Sequence, residues 1–193
     1  MTTQGNILFC GVGGQGILLA SEVTALALLA SGLDATKSEV HGMAQRGGSV
    51  VAHLRYGTKV HSPLIDPGQA DFCLAFEIME AVRYLPFLHK GSKVIVNTHR
   101  IPPPAVATGK MAYPANLIDE LTARDITVYP LDGFTIAREA GEIRAANLAL
   151  VGALSAFLPV AEDVFLDVLK KRVPRKLDEN IAAFQAGRRL TAR

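Results

Sequence analysis

The run Asn6-Ile7-Leu8-Phe9-Cys10-Gly11, followed at once by Gly13-Gly14-Gln15-Gly16 and then by a long apolar stretch, constrains the fold of this chain more than any other feature. A short apolar run that ends in glycine reads as a buried strand of a parallel sheet. Gln15 to Leu29 reads as a helix that is apolar nearly all round, through Ile17, Leu18, Leu19, Ala20, Val23, Leu26, Leu28 and Leu29, and is stopped by Gly32. Such a helix must be heavily buried. Strand, glycine turn and helix in that order open a βαβ unit.

In that setting Gly11, Gly13 and Gly16 satisfy G-x-G-x-x-G. Glycines let the backbone turn tightly and approach an anion closely, while a helix N-terminus offers unbonded N–H groups and a partial positive charge. Gly11, Gly13, Gly14, Gln15 and Gly16 are therefore candidates to bind a pyrophosphate or carboxylate. A turn needed only for close helix–sheet packing is the alternative. The dinucleotide form of this motif also requires an acid about 20 residues on. Glu39 stands near that spacing, behind a polar stretch, Asp34–Ser38, that makes a poor core strand.

Further along, Ser49–Tyr56 alternates, with Val51, His53 and Arg55 on one side and Val50, Ala52 and Leu54 on the other. Tyr56–Val60 reads as a hairpin turning at Gly57-Thr58. Asp71–Phe76 and Lys93–Asn97 read as core strands around a helix from about Glu77 to Leu85, with Pro86 near its end. Ile101–Pro104 reads as a rigid extended surface segment, Asn116–Arg124 as a helix and Ile126–Pro130 as a last short strand. From Asp132 on the pattern is helical, broken near Gly141, Pro159 and Pro174. The expected fold is α/β: a Rossmann-like, doubly wound, mostly parallel sheet with a β-hairpin insertion. The 193 residues are expected to form a single domain with a helical C-terminal extension from about residue 160.

The least core-like stretch is Ser38–Ser49, which gathers Glu39, His41, Gln45 and Arg46 around Gly42, Gly47 and Gly48. A flexible backbone bearing Arg, His and Glu suits a ligand-facing loop. Arg46 could clamp a phosphate or carboxylate while the N–H groups of Gly47, Gly48 and Ser49 close in, with Glu39 and His41 orienting the guest. No residue stands out as a catalytic acid, base or nucleophile, and none as a metal ligand.

Composition narrows the function classes. Twenty basic against 18 acidic residues, few aromatics and no Trp disfavour a nucleic-acid surface. The basic C-terminal positions, Lys170, Lys171, Arg172, Arg175, Lys176, Arg188, Arg189 and Arg193, read as a solvated helical face. Two cysteines, Cys10 and Cys73, cannot supply the four thiolates of an ordinary iron–sulfur cluster. No uncharged apolar run reaches membrane-spanning length and no leader pattern is evident, so a cytoplasmic protein is expected. A 49% hydrophobic content implies either a large core or an apolar face covered by a partner.

Gly11–Gly16, followed by Ser38-Glu39-Val40-His41-Gly42-Met43-Ala44-Gln45-Arg46-Gly47-Gly48, resembles the gamma domain of 2-oxoacid:ferredoxin oxidoreductases. The resemblance continues in order through His53-Leu54-Arg55, Ser62-Pro63, Ala70-Asp71, Ala146-Asn147 and Val151-Gly152-Ala153. With Ser38–Met43 and Ser62–Ile65 as they stand, it is closest to the beta subunit of the indolepyruvate branch. Relatives acting on pyruvate or 2-oxoglutarate typically carry Tyr-Gly where this chain has His41-Gly42. The resemblance implies a non-redox subunit that is inactive alone. A large alpha-type partner would hold thiamine diphosphate and the iron–sulfur clusters, oxidative decarboxylation would yield an acyl-CoA, and electrons would leave to ferredoxin through the complex. This chain would shape the region where substrate or CoA approaches, with CoA at the shared interface as one option, and alone it could self-associate through the face meant for its partner. A stand-alone Rossmann-type enzyme using NAD(P) or flavin, with Glu39 on the ribose, and a purely structural interface subunit stay open beside it.

Overall fold

The computed structural model describes residues 3–41 and 48–192. Six strands form one sheet: β1 (Gly5–Val12), β2 (Asp34–His41), β3 (Ser49–Gly57), β4 (Ala70–Ala75), β5 (Leu88–Asn97) and β6 (Thr127–Leu131), in the spatial order β2-β3-β1-β4-β5-β6. β1 pairs parallel with β4, β4 with β5, and β5 with β6, whereas β3 is antiparallel to both β1 and β2. Two reversals cancel. Five strands therefore share one direction and β3 alone opposes them. The carboxyl ends of those five and the start of β3 share one edge of the sheet.

The period-2 alternation of the strands sorts the core into two layers. Ile7, Phe9, Val50, Ala52, Leu54, Leu74 and Ile95 face the helices α1 (Ile17–Ala30), α6 (Ala146–Ser155), α7 (Glu162–Arg172) and α8 (Leu177–Thr191). Leu8, Cys10, Val51, Cys73, Ala75, Val94 and Val96 face α2 (Ile78–Arg83) and α4 (Leu117–Thr122). Helices on both faces make the sheet doubly wound, as the apolar runs predict. A four-residue helix, α3 (Pro104–Ala107), and α5 (Gly133–Glu139) complete the set.

α7 and α8 belong to the larger layer: Phe165, Leu169 and Phe184 are fully buried there, with Phe165 and Phe184 rings 5.3 Å apart. Each carries acids in its first turn and bases in its last, Glu162 and Asp163 against Lys170–Arg172, and Asp178 and Glu179 against Arg188 and Arg189. That order complements the helix dipole. Much of the C-terminal basic run is engaged on the surface, Arg172 with Glu22, Lys170 with Asp167 at 2.9 Å and Lys176 with Glu179 at 2.8 Å.

Four local expectations need correction. Asp34–Ser38 is strand after all, because β2 sits at the sheet's edge, where a polar strand is tolerated and even protective. The loop expected over Ser38–Ser49 is correspondingly shorter, since 38–41 close β2 and Ser49 opens β3. Thr58 does not turn a hairpin: β3 ends at Gly57 and residues 58–69 form no regular element. The hairpin is the preceding pair, β2 with β3. Finally, Pro104 opens α3 instead of ending an extended segment. A proline at the first helical position costs nothing, because its missing N–H would have had no partner.

Candidate functional site

The glycine turn leaves β1 at the carboxyl-end edge and is closed by the Gln15 N–H, which donates to the Val12 carbonyl at 3.2 Å, and by three further hydrogen bonds. Gly13 N–H donates to the Gly48 carbonyl at 2.8 Å, so the two glycine-bearing segments meet, next to the Val12–Ser49 pair of the sheet. The Gln15 side chain is a strut: its Oε1 accepts the Val12 N–H at 2.7 Å and its Nε2 donates to the Phe76 carbonyl at 2.8 Å. It thereby fastens the turn to the end of β4. Gly11 underlies this strut, where an added Cβ would fall 2.7 Å from Phe76 Cβ and 2.8 Å from Gln15 Oε1.

Gly16 carries the sharpest requirement. Its φ is 80°, and an added Cβ would sit 2.4 Å from Nδ2 of Asn147, the second residue of α6. The Asn147 amide in turn reaches the Gly16 carbonyl at 3.4 Å. Two helix starts, those of α1 and α6, thus converge on this glycine.

α1 begins without a side-chain cap and without an acid in its first turn. Its first internal hydrogen bond runs from Ala20 N–H to the Gly16 carbonyl. The N–H groups of Ile17, Leu18 and Leu19 accordingly lie ahead of the helical ladder. Gly14 is exposed, and an added Cβ there would meet nothing within 4 Å. The start of α1 thus leaves unbonded N–H groups beside an exposed glycine, and helix starts of this kind suit anions in general.

Beneath it lie two carboxylates that the sequence reading passed over. Glu77 is 1% exposed and caps α2, with Oε2 accepting the Met79 N–H at 2.7 Å and the Glu80 N–H at 3.3 Å. Its Oε1 accepts the Tyr113 hydroxyl and the Ile101 N–H at 3.3 Å, tying the 98–116 connection to the strand ends. Burial, and then the Glu77 carboxylate, push the Tyr113 phenol well up. Glu80 is 5% exposed; Oε2 accepts the Ser49 hydroxyl and Oε1 accepts Arg83 Nε at 2.9 Å. That contact raises the Arg83 pKa. Ser49 Oγ also lies 3.3 Å from the Tyr84 hydroxyl, whose pKa is raised chiefly by burial. Two acids three residues apart directly after a core strand were the available signal, because strand carboxyl ends build the crevice in such sheets.

The other site residues of the sequence reading divide into two groups. Gly11, Gly13, Gly14, Gln15, Gly16, Gly48 and Ser49 are brought together at this edge. Glu39 faces α1 instead, engaged by Lys37 and 3.5 Å from the Ser21 hydroxyl, and β3 stands between its strand and β1. His41 is the last residue of β2, opposite Val50. Arg46 and Gly47 lie outside the described residues.

The chain's thiols do not suit an iron–sulfur cluster. Cys10 and Cys73 are fully buried in the sheet with sulfurs 3.6 Å apart. Burial first, then the neighbouring thiol and carboxylates, raises the Cys10 pKa well above the ordinary thiol value. Among the described residues no group of three or more His, Cys, Asp or Glu is placed to hold a metal ion. No described helix is long and apolar enough to cross a membrane.

Comparison with known proteins gives a consistent picture. The family model described as pyruvate ferredoxin/flavodoxin oxidoreductase matches residues 6–190. An indolepyruvate oxidoreductase subunit IorB of Thermococcus kodakarensis is 39% identical over 94% of this chain and 93% of its own length. The protein of that name from Archaeoglobus fulgidus is 40% identical over 94% and 92%. A 2-oxoglutarate synthase subunit KorC, also from A. fulgidus, is 28% identical over 97% and 88%. Among solved structures, the gamma subunit of a keto/oxoacid ferredoxin oxidoreductase from Geobacter sulfurreducens superposes with a TM-score of 0.72 at 23% identity, over 97% of this chain and 98% of that one. The pyruvate oxidoreductase subunit PORC of Thermotoga maritima gives 0.75 at 19% identity, over 97% of each chain.

Proposed function

The chain belongs to the pyruvate ferredoxin/flavodoxin oxidoreductase family, and from that premise we propose that it is the small, non-redox subunit of an indolepyruvate:ferredoxin oxidoreductase. The observation that carries this reading is its likeness to IorB subunits at 37–40% identity over 94% of the chain. The likeness to a 2-oxoglutarate synthase subunit is weaker, at 28%. In this reading the large partner subunit holds thiamine diphosphate and the iron–sulfur clusters and passes electrons to ferredoxin. The assembled enzyme converts the aryl-pyruvate oxidatively to an acyl-CoA.

The part assigned to this chain is binding and shaping. The uncapped start of α1 offers the N–H groups of Ile17, Leu18 and Leu19 to a negatively charged group of substrate or CoA at the subunit boundary, with Gly13–Gly16 and Gly48–Ser49 lining the same mouth. Arg46 and Gly47 are assigned to the same boundary from the sequence. Glu80 fixes Ser49, and Gln15 fixes the turn, so that the donors are held in place before the guest arrives. Glu39 is less suited to a ribose, because Lys37 already engages its carboxylate. That contact weighs against a stand-alone dinucleotide enzyme.

The test is to purify this chain alone and co-produced with the large subunit, and to follow viologen reduction with indolepyruvate, pyruvate and 2-oxoglutarate. Activity is expected only in the complex, with indolepyruvate favoured. Turnover by the isolated chain, or a preference for 2-oxoglutarate, would overturn the reading. Arg46→Ala is expected to leave assembly intact and weaken the substrate-dependent rate by about 10- to 100-fold, the loss of one charge-assisted contact. Failure of the variant to assemble would point to a purely structural subunit.

A further inference from the structure

The opposite edge of the sheet holds a cleft of about 700 Å³ that the proposed function does not use. It lies between the amino ends of β1, β4 and β5 and the end of β3, and volumes of this order are typical of small-molecule sites. Its charge is one-sided. Arg55, Lys59, His61, His89 and Lys93 line it, against the single carboxylate of Asp71. Asp71 is itself occupied: Oδ2 accepts the Asn6 N–H at 2.8 Å and Oδ1 lies 3.5 Å from His89 Nε2. Asp34 and Asp66 sit outside the lining, and Asp34 accepts the Val60 N–H at 2.8 Å.

Two features separate this cleft from an ordinary solvated basic patch. Lys59 and His61 sit on an irregular segment that is nevertheless pinned at several points. Asp34 holds Val60, Arg55 Nη1 reaches the Ser62 and Leu64 carbonyls at 3.3 and 3.4 Å, and His53 Nδ1 accepts the Ile65 N–H at 3.1 Å. Lys93 rises from β5, with Nζ 5.8 Å from the Phe72 ring centroid and 5.9 Å from that of Phe157. Neither lysine has an acidic partner among the described residues. Lys59 and Lys93 thus line a preformed cavity whose one carboxylate, Asp71, is already engaged, which lowers the ordering cost of capturing an anion.

We propose that this amino-end cleft binds a small molecule bearing at least two phosphate charges, with Lys59 and Lys93 as its principal ligands. Phosphate fits better than a single carboxylate because two separated point charges are to be neutralised at once, and lysine serves phosphate as such a charge. The site lies across the sheet from the glycine turn and is independent of which 2-oxoacid the complex uses.

Inorganic pyrophosphate and ADP, with adenosine and citrate as controls, should be titrated into the full chain and followed by calorimetry and by amide chemical shifts. Saturable binding of pyrophosphate or ADP is expected, with shifts at 57–62, 69–72 and 89–93. Tighter binding of ADP than of pyrophosphate identifies a nucleotide, and equal binding a free diphosphate. Lys59→Ala and Lys93→Ala should each weaken binding at least about fivefold, the order of one lost charge-assisted contact. Lys170→Ala on α7 should not change it. The proposal fails if there is no saturable binding below about 1 mM, if citrate binds equally, if the lysine variants bind normally, or if the shifts fall at Gly13–Gly16. That last result would assign the ligand to the turn and leave the proposed function standing.

Discussion

The two edges of this sheet use charge in opposite ways. At the carboxyl edge the buried charged groups are acids, Glu77 and Glu80, consumed by internal donors, while the uncapped start of α1 presents backbone N–H. At the amino edge bases outnumber the one lining carboxylate, Asp71, and two of them, Lys59 and Lys93, have no acidic partner among the described residues. Buried charges must be satisfied or they are costly, so the first edge is built as a rigid unit in which each side chain supports another. Exposed lysines cost little, so the second can hold charge in reserve. The difference teaches that a surface made of main-chain donors depends on its supports, whereas one made of lysines does not.

The contrast makes an ordered set of expectations. Gly16→Ala should have the largest effect. It forces an L side chain into positive φ and drives a Cβ against Asn147, and should destabilise the chain by about 2–5 kcal/mol in urea denaturation. A loss under about 0.5 kcal/mol would show that the two helix starts are not locked together. Glu80→Ala comes next. It strips the acceptor from Ser49 and Arg83 and should cost about 1–3 kcal/mol, with Glu80→Gln milder because the Ser49 contact can persist.

Acidification should separate the edges by a smaller margin. Burial lowers the His53 pKa, and its Nδ1 accepts a hydrogen bond, so the folded chain favours the neutral ring. A folded pKa below the unfolded one contributes stability that is complete above the ordinary value near 6.5 and is lost as pH falls through the folded value. Amide protection factors, corrected for the intrinsic pH dependence of exchange, should therefore fall more at residues 60–66 than at 10–16 as pH drops from about 7.5 to about 5.5. His53→Asn should remove that difference. The smallest effect is expected for the Lys59→Ala/Lys93→Ala pair, which should shift stability by no more than about 0.5 kcal/mol. A larger loss would mean that the amino edge, too, is structural.

The first 30 residues were legible from their pattern. A continuous apolar strand, glycine at each required point of the turn and a helix greasy on every side leave few alternatives, and the observed β1 and α1 follow. The two-layer core was also legible, because strand alternation and helical apolar faces are local signals. β2 was less so. Asp34–His41 has no buried-strand pattern, since an edge position relieves it of the need. Glu77 and Glu80 sat next to a strand end in plain view, yet only their burial and partners give them weight.

Hydrophobic period and glycine placement thus determined which segments become most of the strands and helices and that α1 opens on a glycine turn, because those choices depend on neighbours in the chain. Only the tertiary structure decided that β3 runs backwards between β1 and β2, that Gly13 meets Gly48, that Asn147 presses on Gly16, and that Lys59 and Lys93 line one cleft. Each of these joins residues dozens of positions apart. Their pairing is set by packing of the whole sheet, a property no local window of sequence contains.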